Sequence, residues 1–210
     1  MKLEPTTDDG VAVKHIEEFL ADAGDVLERL DRQAIHAVVA ELVALRERGG
    51  RLFFVGSGGG AGHASHAVCD FRKLAGFEAY APSDNVSELT ARVNDEGWDT
   101  SYAEWLRGSR LNESDLLFVL SVGGGDRERG VSVNLVRCLE LAKSAGARIC
   151  GIVGRDGGNT AEMADACIIV PSVRPETVTA QTESFQALLW HLLVSHPDLL
   201  VGKMKWESIG

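Results

Sequence analysis

Three short apolar runs each end in a cluster of glycines, and that repetition constrains the fold more than any other feature of the chain. Leu52-Phe53-Phe54-Val55 leads into Gly56-Ser57-Gly58-Gly59-Gly60-Ala61-Gly62. Leu116 to Ser121 leads into Gly123-Gly124-Gly125, and Arg148 to Val153 leads into Gly154-Arg155-Asp156-Gly157-Gly158. Glu78 to Ala81 and Cys167 to Val170, the latter stopped by Pro171, read as two further strands. These runs are apolar throughout instead of alternating, the pattern of strands covered on both faces. Helical spacing fills the intervals, from Ala61 to Leu74, Val131 to Ala145, Ala161 to Ala164 and Thr177 to His196. Strand alternating with helix predicts an α/β fold: a doubly wound, five-stranded parallel sheet flanked by helices.

Before the first strand, apolar residues recur at helical spacing from Val11 to about Arg48, and Gly49-Gly50 stops the pattern. We read residues 1–48 as an N-terminal helical arm. With 210 residues and no linker or repeat, the chain is expected to form one domain over residues 1–210. Asn85 to Arg110 reads as mixed helix and loop, with Asn94-Asp95-Glu96-Gly97-Trp98 as a polar turn.

Charge excludes some partners. The formal net charge is −10, which argues against a nucleic-acid partner that would need a clustered basic face. No apolar run approaches the roughly 18 residues of a membrane span. Met1 to Gly10 is polar and acidic and does not read as a signal peptide. Cys69, Cys138, Cys150 and Cys167 form no CxxC pair and lie in apolar stretches, so buried, reduced thiols in the cytoplasm are expected.

In an open parallel sheet, ligands bind beyond the carboxyl ends of the strands. The turn after the first run passes straight into a helix, so it reads either as a flexible strand-to-helix turn or as a site whose backbone N–H groups converge on an anion at the positive helix end, with Ser57 adding a hydroxyl. No Gly-Lys-Ser/Thr follows, so it is not a P-loop. The second turn, Ser121 to Arg127, also suits a phosphate, or a mobile surface loop. Arg155 to Gly158 reads as a tight turn with no chemistry of its own.

Potential ligands and proton carriers follow. His66 and Asp70, four residues apart, share one helix face. Glu183 and His191 lie eight residues apart on the last helix, roughly 80° around its axis. Two imidazoles and two carboxylates suit a divalent metal such as zinc, or an acid/base group without metal, or polar positions facing solvent. His191 and Asp70 are the candidates for proton transfer near neutral pH. His63 reads as a surface residue near the loop, and His36 and His196 as structural or exposed.

Taken in order from Leu27 to Ser195, these motifs resemble the sugar isomerase (SIS) domain family, and within it the phosphoheptose isomerases, which convert sedoheptulose 7-phosphate to a heptose 7-phosphate. The family's Gly-Asn-Gly-Gly, followed by His and Glu, matches Gly56-Ser57-Gly58-Gly59 with His66 and Asp70. Its Asn-Asp turn matches Asn94-Asp95, its Gly-Lys/Arg-Asp-Gly-Gly turn matches Gly154 to Gly158, and its final-helix Gln and His fall on Glu183 and His191. The resemblance implies a zinc site of His66, Asp70, Glu183 and His191, with Asp70 and His191 shuttling a proton between C1 and C2. It also implies sugar-phosphate contacts from Ser57, Gly58, Gly59, Asn94, Asp95, Ser121, Gly123, Gly124, Ser132 and Glu183, and a homotetramer with sites between subunits.

This chain departs from the family at four places. Asp70 is one methylene shorter than the family Glu, Glu183 replaces a neutral Gln, and Ser57 replaces Asn. The family's Ser/Thr-rich phosphate loop is reduced to Ser121-Val122-Gly123, with extra residues before Ser132. Two other readings stand beside a heptose isomerase: a pentose or hexose phosphate isomerase of the same fold, and a non-catalytic sugar-phosphate-binding SIS regulator.

Overall fold

The computed structural model describes residues 9–201. Residues 1–8, within the polar segment read above, and residues 202–210 lie outside the described residues. The strands are β1 (Leu52–Gly56), β2 (Ala79–Tyr80), β3 (Leu116–Ser121), β4 (Arg148–Val153) and β5 (Ala166–Ile169). They form one sheet in the order β2-β1-β3-β4-β5, every pair parallel. The helices are α1 (Asp9–Arg29), α2 (Arg32–Glu47), α3 (Gly59–Lys73), α4 (Val86–Glu96), α5 (Trp98–Gly108), α6 (Val133–Ala145), α7 (Gly158–Met163) and α8 (Val178–Val194).

This strand order explains why the apolar runs do not alternate. Successive side chains of a strand point to opposite faces, and both faces are covered. Leu52, Phe54, Phe118, Leu120 and Ile152 meet α2, α3 and α8 on one side. Phe53, Val55, Leu117, Val119 and Ile149 meet α5 and α6 on the other. α2 contributes Val38, Val39, Leu42 and Leu45 to the first core, and Asp31 caps it by accepting from the Gln33 and Ala34 N–H groups. α1 buries Val26, with Leu30 buried just beyond its end, but leaves Val11, Val13, Ile16, Leu20 and Leu27 exposed.

Chain order reverses direction at β1. The connection through α3 places β2 on one side of β1, and the chain then crosses through α4 and α5 to place β3 on the other. Such a switch opens a crevice beyond the carboxyl ends of the two diverging strands. Here those ends are Gly56 and Ser121, which the sheet holds as close neighbours: Gly56 pairs with Leu120.

The expected Asn94–Asp95 turn is helical instead. Asn85 caps α4 by accepting from the Glu88 N–H, and Arg92 bridges Glu88 and Glu96 along its face. These local bonds carry the helix through Asn94 and Asp95 until Gly97, at φ +84°, ends it. Only one residue separates α4 from α5. The cysteine expectation also needs correction at two positions: all four thiols are free, but Cys69 is exposed on α3 and Cys167 is half-buried. Burial pushes the Cys138 and Cys150 thiols well up, and that of Cys167 to about 12. No helix among the described residues is long and apolar enough to cross a membrane.

Candidate active site

α3 leaves the sheet directly from the first glycine turn because nothing larger fits there. A Cβ at Gly56 or Gly60 would overlap backbone atoms of Gly60 or Leu120. Gly58 adopts φ +59°, which a β-carbon disfavours, so the chain turns sharply into the helix. Ser57 is fixed by Asn134, whose amide donates to Ser57 Oγ at 3.0 Å and whose side chain is fully buried. That bond ties the first turn to the start of α6.

The second and third glycine turns interlock. A Cβ at Gly124 would overlap the Gly157 carbonyl, and one at Gly158 would overlap the Gly123 and Gly125 carbonyls. Thr160 Oγ1 donates to Gly124 O at 2.7 Å, and the Asn159 N–H donates to Gly125 O at 2.9 Å. The Ser121 hydroxyl accepts from the Gly124 N–H at 3.1 Å. Together the turns enclose a cleft of about 950 Å³ lined by Ser57, Ser121, Gly123, Ser132, Arg155 and Thr179 among others. It lies where the strand order predicts a crevice.

α8 runs beside α3, and side chains meet along their length. Near the start of α3, the Glu183 carboxylate lies against Gly59, in the space a Cβ there would need. One turn on, His63 Nδ1 is 2.9 Å from Gln186 Oε1, and the buried Gln186 donates through Nε2 to Ile152 O at 2.9 Å. Further on, His66 and Asp70 meet Trp190 and His191. Asp70 Oδ2 is 3.5 Å from His66 Nε2, 3.4 Å from His191 Nε2 and accepts from Trp190 Nε1 at 3.1 Å.

This cluster fits a divalent cation. His66, Asp70 and His191 each offer one atom within 4.8 Å of the other two. A tetrahedral zinc with ligands at about 2.0–2.1 Å holds its donor atoms about 3.3–3.4 Å apart, close to the two separations seen at Asp70 Oδ2. His191 Nδ1 lies 2.7 Å from Ala187 O. A carbonyl only accepts, so Nδ1 carries a proton, and in the neutral ring Nε2 turns a lone pair toward Asp70. Two acceptors in that geometry repel unless a proton or a cation lies between them. Asp70 itself is 5% exposed, so its charge has little water to screen it.

Of the residues expected at the site, His66, Asp70 and His191 come together. Ser57, Ser121, Gly123 and Ser132 line the cleft, and Gly124 braces its wall. Gly58 and Gly59 form the start of α3, exposed at the turn. Glu183 does not join the three ligands. It sits eight residues before His191, about 12 Å lower along the helix, against Gly59. Asn94 and Asp95 are exposed on α4 and line neither the cleft nor the cluster. Sequence reasoning missed Trp190, Asn134, Gln186 and the half-buried position of His63. A tryptophan in an apolar helix reads as core, and no spacing rule reveals where its N–H points.

A sequence profile of the SIS domain matches residues 18–154, and the chain belongs to the SIS domain family. Within that family it is similar to the lincomycin biosynthesis protein LmbN of Streptomyces lincolnensis, at 32% identity over 197 residues, covering 90% of this chain and 71% of that protein. It is also similar to a phosphoheptose isomerase of Rhodospirillum rubrum, at 31% identity over 185 residues, covering 85% and 93%. The fold is that of the phosphoheptose isomerase GmhA from Neisseria gonorrhoeae, with a TM-score of 0.75 at 23% identity over 90% of this chain and 97% of that one. α8, which carries Glu183 and His191, lies beyond the residues the profile matches.

Proposed function

We propose that this chain is a sugar-phosphate aldose–ketose isomerase acting on sedoheptulose 7-phosphate to give a heptose 7-phosphate. The observation that carries the reading is the convergence of His66 Nε2 and His191 Nε2 on one oxygen of a buried carboxylate, Asp70. The similarity to phosphoheptose isomerases supports it. A divalent cation such as zinc, held by His66, Asp70 and His191, would supply Lewis-acid polarisation of the sugar's C1 and C2 oxygens. Glu183, resting against Gly59, stays outside that set in this reading and is assigned to the substrate.

Isomerisation moves one proton between neighbouring carbons. The Asp70 carboxylate, through an oxygen not holding the cation, or the His191 imidazole, when its Nε2 is not holding the cation, takes a proton from C1 while the C2 carbonyl oxygen gains one, giving a cis-enediol. Returning a proton to C2 and releasing the one on the C1 oxygen completes the aldose. Two carriers on opposite helices suit this exchange, because each step leaves one protonated and the other ready to accept.

Phosphate is assigned to the cleft, with Ser57, Gly58, Gly59, Ser121, Gly123, Gly124 and Ser132 as its contacts. Asn94 and Asp95 reach the substrate in this reading only across a subunit boundary of a homotetramer. The chain acts as a single SIS domain in the cytoplasm, with α1 and α2 as its helical arm. A pentose or hexose phosphate is the rival substrate, because the loop after β3 departs from the family's phosphate loop.

The test is incubation of purified protein with sedoheptulose 7-phosphate in deuterium oxide. Aldose product with deuterium at the exchanged carbon is expected. If neither appears, while a pentose or hexose ketose phosphate does exchange, the heptose assignment is wrong. No exchange with any of them leaves the non-catalytic regulator.

A further inference from the structure

The turn after β4 holds a cation in a strained backbone position at the cleft. The Gly157 N–H donates to Gly154 O at 2.9 Å, closing a four-residue turn. Its second residue, Arg155, has φ +54°, whereas its third, Asp156, is not among the positive-φ residues. Positive φ confined to the second position is the type II′ pattern, which glycine dominates because a β-carbon clashes there. Only Arg110, Ser132 and Arg155 adopt positive φ among the described non-glycine residues. Two of the three, Ser132 and Arg155, line the same cleft. Strain of this kind persists where the surroundings or the function hold it in place.

The cleft's other cations are already engaged. Arg127 pairs with Glu140 at 2.6 Å, and Arg129 with Asp126 at 3.5 Å. Among the described residues, the Arg155 guanidinium has no ion pair or hydrogen bond, although it lines the cleft. The neighbouring carboxylates are occupied: Asp156 Oδ1 accepts from the Gly158 N–H at 3.2 Å, and Glu162 Oε2 accepts from Asn159 Nδ2 at 2.7 Å. The Arg155 stem passes over Gly123, with Cδ 3.9 Å from where a Cβ there would sit. That is the turn in which the expected serine- and threonine-rich phosphate loop is reduced to Ser121-Val122-Gly123.

We propose that Arg155 is the phosphate-recognising side chain of this cleft, its guanidinium fork donating to the phosphate oxygens of the substrate. Arginine suits the task because its planar donors match two phosphate oxygens at once. A single forked cation replaces the hydroxyl donors that the altered loop lacks. The proposal deepens the sugar-phosphate reading and rests on it for the identity of the ligand, but phosphate recognition itself can be measured without any turnover.

The experiment is calorimetric titration of the full chain with inorganic phosphate, using Arg155→Gly and Arg155→Lys alongside the unaltered protein. Hydrogen bonds to a charged group are worth about 10- to 100-fold in affinity, and R155G should weaken phosphate binding by that factor. R155G also removes the β-carbon from a glycine position, so its thermal midpoint should not fall, which excludes general damage to the fold. R155K keeps charge but not the fork and should lie between the two in affinity. Equal phosphate affinity in R155G and the unaltered chain overturns the proposal, as does an unaltered chain that binds no phosphate at millimolar concentration. Arg155-dependent phosphate binding without isomerisation of any ketose phosphate would support this proposal while sinking the catalytic reading.

Discussion

Trp190 Nε1 donates to Asp70 Oδ2 at 3.1 Å, from an indole that is 2% exposed, so the carboxylate at the centre of the cluster is aimed by a buried neutral donor. The same ring lies 5.4 Å from the His66 ring and 5.1 Å from that of His191, bracing both imidazoles. Partners of this kind set ligand orientation, and their loss costs about 10- to 100-fold in metal affinity. Trp190→Phe keeps most of the packing and removes the N–H. We expect zinc affinity, read by competition with a chelating dye, to fall about tenfold with the circular dichroism spectrum unchanged. Unaltered affinity would show that Asp70 is held by its histidines alone.

The position of Glu183 gives a graded prediction. Three ligands with one open position is the arrangement of catalytic zinc, and Glu183 lies against Gly59 instead of within the group of three. Glu183→Gln should therefore lower zinc affinity less than tenfold, whereas His66→Ala and His191→Ala should each lower it by about 100-fold or more. A loss in E183Q matching that in H191A would place the carboxylate in the metal shell.

Gly124 tests how the cleft wall is built. It sits at φ +70°, and a Cβ there would overlap the carbonyl of Gly157 on the facing turn. Neither backbone can yield without breaking the Thr160 and Asn159 bonds that lock the turns. Gly124→Ala should destabilise the fold by about 2–4 kcal/mol, seen as a lower midpoint in urea. Gly62→Ala on α3, where a Cβ meets nothing within 4 Å, should be neutral or stabilising.

Acid should loosen α1 through Asp22. Burial by itself would raise the Asp22 carboxyl, but hydrogen bonds from Arg174 and Thr177, with the charge of Arg174, outweigh it and hold the group below its ordinary range. A depressed carboxylate stabilises the folded state fully above its unfolded pKa of about 3.9. That contribution disappears as pH falls through the lower folded value. Asp22→Asn should thus flatten the stability profile below about pH 4 and cost stability at pH 7. An identical acid profile in both proteins would contradict this.

The sheet was legible because burial on both faces writes itself as uninterrupted apolar runs, and the glycine turns because close backbone approach excludes a side chain. His66 with Asp70 was legible from helical spacing, His191 was set beside them on residue type and spacing, and the resemblance narrowed the group to a zinc site. What escaped depends on tertiary direction. Asn94 and Asp95 look like a turn, yet Arg92 and the Asn85 cap hold them in a helix. Cys69 sits in an apolar stretch, but α3 turns it to solvent. His63 gave no hint that Gln186, anchored on the Ile152 carbonyl, would be the hydrogen-bond partner of its Nδ1. Glu183 shares a helix with His191, but where its carboxylate rests depends on Gly59 of another helix.

The central claim is that His66, Asp70 and His191 form a metal-assisted proton-transfer centre. It is tested most directly by stripping the protein with chelator, titrating zinc back, and following deuterium exchange at C1 of the ketose phosphate together with bound metal. The account predicts about one tight zinc per chain, exchange that returns in step with occupancy, and neither in Asp70→Asn. Full exchange in the stripped protein, or zinc bound equally well by D70N, would contradict it.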